Sequence, residues 1–200
     1  MQNIEFTKEE QKIIKMCNTP EKVQNFLDSL EYNFENDGVE TFRSLRGIIK
    51  HKKAHCFEGA VSAASIMSQQ GYPPLIICME ASDIDHNIFV YWLDGKVGSV
   101  AKSRQVELHG RPPIYETYDD LVMSYYPHYY NWFTQNKKDI TMRGWALIDL
   151  NIFSKNWITS ENISFIEDYL YAIPYKRLFP KNEDSFYYFR RNGRIIPIAS

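Results

Sequence analysis

Residues 54–79 read AHCFEGAVSAASIMSQQGYPPLIICM, and this stretch decides the fold. From Cys56 to Gln70 the run is rich in Ala and closes at Gly71, whose permissive backbone suits a helix C-terminus. Gly59, Ala60, Ala63 and Ala64 are small, so this helix can pack closely against a sheet. After Pro73-Pro74, the apolar run 74–80 stops at Ala81-Ser82-Asp83 and reads as a buried strand. The next stretch, DIDHNIFVYWLDGKVGSV (83–100), places Asp94-Gly95, a favoured hairpin dipeptide, between strand-like runs His86 to Leu93 and Lys96 to Ala101. A buried helix opening at Cys56 and followed by an antiparallel sheet is the expectation, hence an α+β fold.

Upstream, TKEEQKIIKMC reads as a short helix, and Thr19-Pro20-Glu21 as the start of a second, with Thr19 as cap and Pro20 at the first helical position. After an Asn36-Asp37-Gly38 turn, Phe42, Leu45, Ile48 and Ile49 recur at helical spacing and predict a third helix ending near His51-Lys52-Lys53. Downstream, Asp119 to Tyr126 looks helical, Thr159 or Ser160 can cap a helix carrying Ile163, Ile166 and Leu170, and a late hairpin turns at Asn192-Gly193. These C-terminal elements are expected to cover one side of the sheet. No repeat or linker divides the chain, so residues 1–200 are taken as one domain.

Composition narrows the function. With 44% hydrophobic and 24% charged residues in 200, the chain is an ordinary globular one with length for a real core. A net charge of -2 gives no bulk positive field, which argues against nucleic acid as a partner. Cys17, Cys56 and Cys78 fit neither a disulfide set nor a zinc pattern, the N-terminus has no apolar leader, and no run approaches a membrane span, so a cytoplasmic protein with no membrane partner is expected. The aromatic stretches SYYPHYYNWF (124–133) and FYYFRR (186–191) either pack in the core or line a groove.

Cys56 at the first turn of a helix has a chemical meaning. Unpaired N–H groups and the positive end of the helix dipole stabilise a thiolate there, and the same N–H groups serve an acyl-transfer oxyanion. His86, opening a strand after the polar ASDID, can present imidazole to that helix start as the base. Read blandly, Cys56 is a small buried hydrophobe and His86 a structural residue. A metal site through His51, His55, Cys56 and His86 is the rival, but Ala54-His55-Cys56 spans a break between helices and spoils its geometry. Neither a metal nor a cofactor is expected.

The two quoted strings together resemble the core of the transglutaminase-like (papain-like) cysteine enzyme superfamily, over roughly residues 40–105. They resemble more closely uncharacterised bacterial proteins of that superfamily with an HCxEGA helix, a DH strand and a G-x-x-x-K-S strand, met here by Gly98, Lys102 and Ser103, and the likeness continues through PPIY and LxxSYY. The resemblance implies a Cys-His-Asp triad with Cys56 as nucleophile and His86 as base. The family Asp would fall near Ala101-Lys102-Ser103, where this sequence has none.

With Asp94-Gly95 as the hairpin centre, antiparallel pairing puts Ser103 opposite His86, where it can orient the imidazole as a neutral acceptor. Asp85 is a weaker candidate, because adjacent strand residues point to opposite faces. Glu58, one turn into the helix, is either a site residue that contacts substrate or completes the triad, or an acid that favours the helix dipole. Lys102 either binds an acidic substrate group or is a solvated strand residue. Arg43 and Arg46 either pair with Asp83 or Asp85, reach the cleft, or are solvated. Thiol-dependent acyl chemistry on a peptide or small-molecule amide or ester is the expected function, hydrolysis first and amine transfer second. The alternative of another class is a non-catalytic binding module, favoured by the missing Asp.

Overall fold

A computed structural model of the chain describes residues 4–36, 38–181, 186–191 and 194–197. Helices α1 (Lys8–Met16) and α2 (Pro20–Ser29) each start on a threonine. Thr7 Oγ1 accepts the Glu10 N–H at 3.2 Å while Glu10 Oε2 accepts the Thr7 N–H at 2.7 Å, a reciprocal cap that satisfies two orphan donors. Strand β1 (Glu31–Tyr32) pairs in parallel with β2 (Lys53–Ala54), with α3 (Leu45–His51) between them, and α4 (Cys56–Ser68) follows at once.

The third helix is shorter than its periodicity predicts, because Thr41, Phe42 and Arg43 lie outside it. The Thr41 hydroxyl and the Arg43 N–H donate to the Glu58 carboxylate at 2.9 and 3.1 Å, which draws this segment across the start of α4 instead of into α3.

The remaining elements are β3 (Leu75–Ala81), β4 (His86–Leu93), β5 (Lys96–Val100), α5 (Tyr118–Tyr125), β6 (Met142–Asp149), α6 (Ser164–Ala172), β7 (Pro174–Arg177), β8 (Tyr187–Arg191) and β9 (Arg194–Pro197). Their sheet runs β5-β4-β3-β6-β7-β8-β9 with every neighbour antiparallel, so the class is α+β. The C-terminal part does more than cover a side. It inserts β6 beside β3, in register from Leu75↔Asp149 to Ile77↔Leu147 and beyond. Arg143 and Gly144 hide this strand from a hydrophobicity reading. Gly144 is required there, since a Cβ would lie 2.5 Å from both the Lys176 carbonyl and the Tyr188 hydroxyl.

Helix α6 begins after the expected caps, because Asn156 Oδ1 accepts the N–H groups of Ile158 and Thr159, both at 3.0 Å, and ties residues 156–159 into a turn. The Asn192-Gly193 turn lies outside the described residues. The strands around it pair with Arg191 opposite Arg194.

Alternate residues of β3 and β4 face two apolar layers. Ile76, Cys78, Phe89 and Tyr91 meet the layer containing α4, and Ile77, Met79, Ile88 and Val90 meet Leu121, Val122 and Tyr125 of α5. Each such side chain contributes about 1.5–3 kcal/mol by leaving water. Burial on both faces is why these strands read as continuous apolar runs. Helix α4 is buried from Phe57 through Met67, as a helix apolar all round must be. Among the described residues, no helix is long and apolar enough to cross a membrane.

Candidate active site

Cys56 is the first residue of α4, and Glu58 fixes that helix start. The Glu58 side chain is fully buried. It accepts the His55 N–H at 3.1 Å and the Asn33 side-chain amide at 3.4 Å, in addition to Thr41 and Arg43. A carboxylate saturated by four donors is a structural knot, so Glu58 does not meet substrate as the sequence suggested. Arg43 Nη1 stands 3.6 Å from it, and Arg46 pairs with Glu10 at 2.6 Å, so neither arginine forms its expected pair with Asp83 or Asp85.

Lys102 also lies away from the cleft. It is 5% exposed, its Nζ donates to the Leu30 carbonyl at 2.6 Å, and burial pulls its ammonium pKa down against the opposing charge of Asp28. Its stem lies against Gly59 of α4, where a Cβ would come within 2.7 Å of Lys102 Cβ. The expected substrate contact is thus a buried packing residue.

His86, 3% exposed, opens β4 opposite Met79 of β3. Its Nε2 sits 2.8 Å from the carbonyl of Leu108 in the tight turn Val106–Leu108. A carbonyl only accepts, so Nε2 carries the proton and Nδ1 is left for Cys56. Ser103 does not play this orienting role. The hairpin register, Phe89↔Val100, would bring Ser103 opposite His86 if β5 continued, but β5 ends at Val100. Gln24 of α2 captures both backbone groups of Ala101, accepting its N–H at 3.0 Å and donating to its carbonyl at 2.9 Å. The chain then turns, and Ser103 Oγ accepts the Gln105 N–H at 3.1 Å. Asp85 points elsewhere too: its Oδ1 accepts the Ala81 N–H at 3.1 Å, while its carbonyl lies 3.7 Å from Cys56 Sγ.

A second imidazole, weighed in the sequence only as a metal ligand, completes the group. His55 Nε2 lies 2.8 Å from the Thr41 carbonyl, 3.6 Å from Glu35 and 3.8 Å from Glu58. Its place next to the cysteine was the available signal. His51, by contrast, ends α3 exposed to solvent.

Both imidazoles engage the thiol. Burial by itself raises the Cys56 pKa, but hydrogen bonding to His55 and His86 and their charges outweigh it and hold the thiol well below its ordinary value. Burial likewise lowers His55, yet its bond to Cys56, the charges of Glu58 and Cys56 and the Thr41 carbonyl push it up to about 9. The arrangement favours a thiolate facing imidazolium. Tyr32, at the end of β1, lies against the Cys56 backbone N–H, and burial and the thiol's charge keep its phenol protonated.

Two cavities meet at Cys56. One of about 500 Å³ opens on the His55 side, and a small one of about 30 Å³ lies on the His86 side among Tyr32, Arg104, Tyr129 and Trp132. The aromatic stretch 124–133 therefore both packs and lines. The Tyr129 hydroxyl donates to the Ile84 carbonyl at 2.7 Å and the Trp132 N–H donates to Asp83 Oδ2 at 2.8 Å, which secures the loop leading into His86. No family model and no curated protein matches this chain, so the chemistry of the site rests on its own geometry.

Proposed function

We propose that the chain performs thiol-dependent acyl chemistry on an amide or ester, with hydrolysis as the reaction, on a transglutaminase-like core. The observation that carries this is Cys56 at the N-terminus of a buried helix, engaged by two imidazoles that hold its thiol well below the ordinary value. The order of Cys helix, strand, His strand and hairpin supports the core assignment.

In this reading the Cys56 thiolate attacks the carbonyl carbon and a C–S bond forms. The oxyanion takes the Cys56 N–H at the helix start in place of the Tyr32 hydroxyl that holds it in the free protein. His86, having taken the thiol proton, passes it to the leaving amine or alcohol and then takes a proton from the water that attacks the thioester. The Leu108 carbonyl holds the His86 tautomer, and the thiolate itself supplies the counter-charge that a carboxylate provides elsewhere.

Iodoacetamide alkylation against pH, with Cys56, Cys17 and Cys78 followed separately by peptide mass spectrometry, tests the proposal. Cys56 is expected to react fast well below the free-thiol pKa of ~8.5, and His86→Ala to abolish that advantage. An ordinary thiol profile, indifferent to His86, would sink it. That outcome would leave a binding module using the same cleft, the second reading, which the neutral acceptor behind His86 favours.

A further inference from the structure

The larger cavity beside Cys56 has a one-sided charge. Glu35, Glu40, Glu80, Asp83, Asp85 and Glu167 line it, against Arg143 and His55. Arg143 stands 3.5 Å from Glu80 and donates to the Ala81 carbonyl at 3.2 Å, so its charge is directed at one of these carboxylates. Glu35 is held by the Thr41 backbone N–H at 2.5 Å and faces His55 at 3.6 Å, while Asp83 is held by the Trp132 amide, a neutral donor that fixes the carboxylate without cancelling its charge. In a concave site with low-dielectric walls, such a set focuses a negative potential.

A second observation is independent of charge. Asn87, next to His86 on β4 and only 4% exposed, lines the same cavity, and its Oδ1 has no hydrogen-bond partner in the protein. Asp83 Oδ1 is likewise buried without a partner. A buried acceptor without a donor is costly, and a ligand carrying N–H groups satisfies it. Arg143 Nε is the opposing case, a buried donor on the same wall without a partner. With His55 it makes two cationic groups against six carboxylates.

We infer that this cavity selects cationic substrates: the amide or ester presented to Cys56 carries a protonated amine or guanidinium that sits among these carboxylates and donates to Asn87 and Asp83. This rests on the acyl chemistry proposed above and adds its substrate class.

The test uses methanethiosulfonate reagents of similar size on the full chain at low salt: a trimethylammonium-ethyl cation, a sulfonatoethyl anion and a neutral methyl reagent. In each case the Cys56 thiolate attacks the sulfenyl sulfur, a disulfide forms and methanesulfinate leaves. The cation-to-anion rate ratio at Cys56 is expected to exceed that of free cysteine by about tenfold or more and to shrink with added salt. Glu40→Gln with Glu167→Gln is expected to reduce that ratio. A ratio equal to free cysteine, or inverted through Arg143, would overturn the inference. The ratio reads the cavity's charge whatever the absolute rate, whereas the neutral reagent reads activation of the thiol, so the two proposals fail separately.

Discussion

Replacing Glu58 by Gln keeps the volume of the knot beneath Cys56 and removes its charge. Each Glu58 oxygen accepts from one backbone N–H: Oε1 from Arg43, alongside the Thr41 hydroxyl, and Oε2 from His55, alongside the Asn33 amide. Whichever position the new NH2 group takes, one backbone N–H is left buried against a donor, at a cost of about 1–3 kcal/mol. The surviving bonds become neutral and lose roughly half their strength, about another 1 kcal/mol. Relief of a buried charge returns part of this, but Arg43, whose Nη1 stands 3.6 Å away, then loses its counter-charge. The net loss is about 2–4 kcal/mol, since an orphaned donor outweighs relief of a carboxylate that was already fully paired. Urea unfolding measures this directly, and the melting temperature should fall by about 5–12 °C. The charge of Glu58 also helps hold His55 up, so the variant's His55 titration should move below 9. A stability loss under about 0.5 kcal/mol, with an unchanged Cys56 alkylation profile, would refute the knot and return Glu58 to the cleft.

Other outcomes follow from the same geometry. With His55 held up to about 9 and the thiol held low, Cys56 alkylation should rise in two steps as pH increases: first when the thiolate forms, then near pH 9 when His55 loses its proton and leaves the thiolate more nucleophilic. His55→Asn should erase the upper step, and its persistence would assign it to another group. Ser103→Ala should leave the alkylation rate within about twofold, a few tenths of a kcal/mol, because the Leu108 carbonyl orients His86; a tenfold drop would restore the serine. Gly59→Ala places a Cβ 2.7 Å from Lys102 Cβ, and this clash, about 1–3 kcal/mol, should exceed the ~1 kcal/mol gain in helix propensity. A more stable variant by urea unfolding would show that the Lys102 stem yields.

Local signals in the chain determined the half of the fold that carries Cys56 and His86. Thr7, Thr19 and Gly71 mark helix ends, Asp94-Gly95 fixes the β4–β5 register through left-handed φ values of 50° and 75°, and the small-residue run from Cys56 specifies a helix buried on every side. Those signals work because capping, hairpin turns and helix packing depend on residues a few positions apart. They were enough to single out Cys56 and His86.

Apart from His55, the partners of these two residues lie in other elements, and only the tertiary structure decided them. Gln24, 77 residues before Ala101, ends β5 early and turns Ser103 away from His86. The acceptor that replaces it is a backbone carbonyl, Leu108, and every residue carries one, so its type gives no signal. Strand β6 was illegible because Arg143 and Gly144 open it against strand propensity and its pairing with β3 and β7 is long-range. Glu58 and Lys102 looked like cleft residues because charged side chains are seldom buried, and it took a saturated carboxylate and a lysine stem against Gly59 to put them inside. The negative lining of the larger cavity has the same origin, for its carboxylates come from the β1–α3 segment, β3, the β3–β4 turn and α6, and only the folded sheet brings them around one thiol.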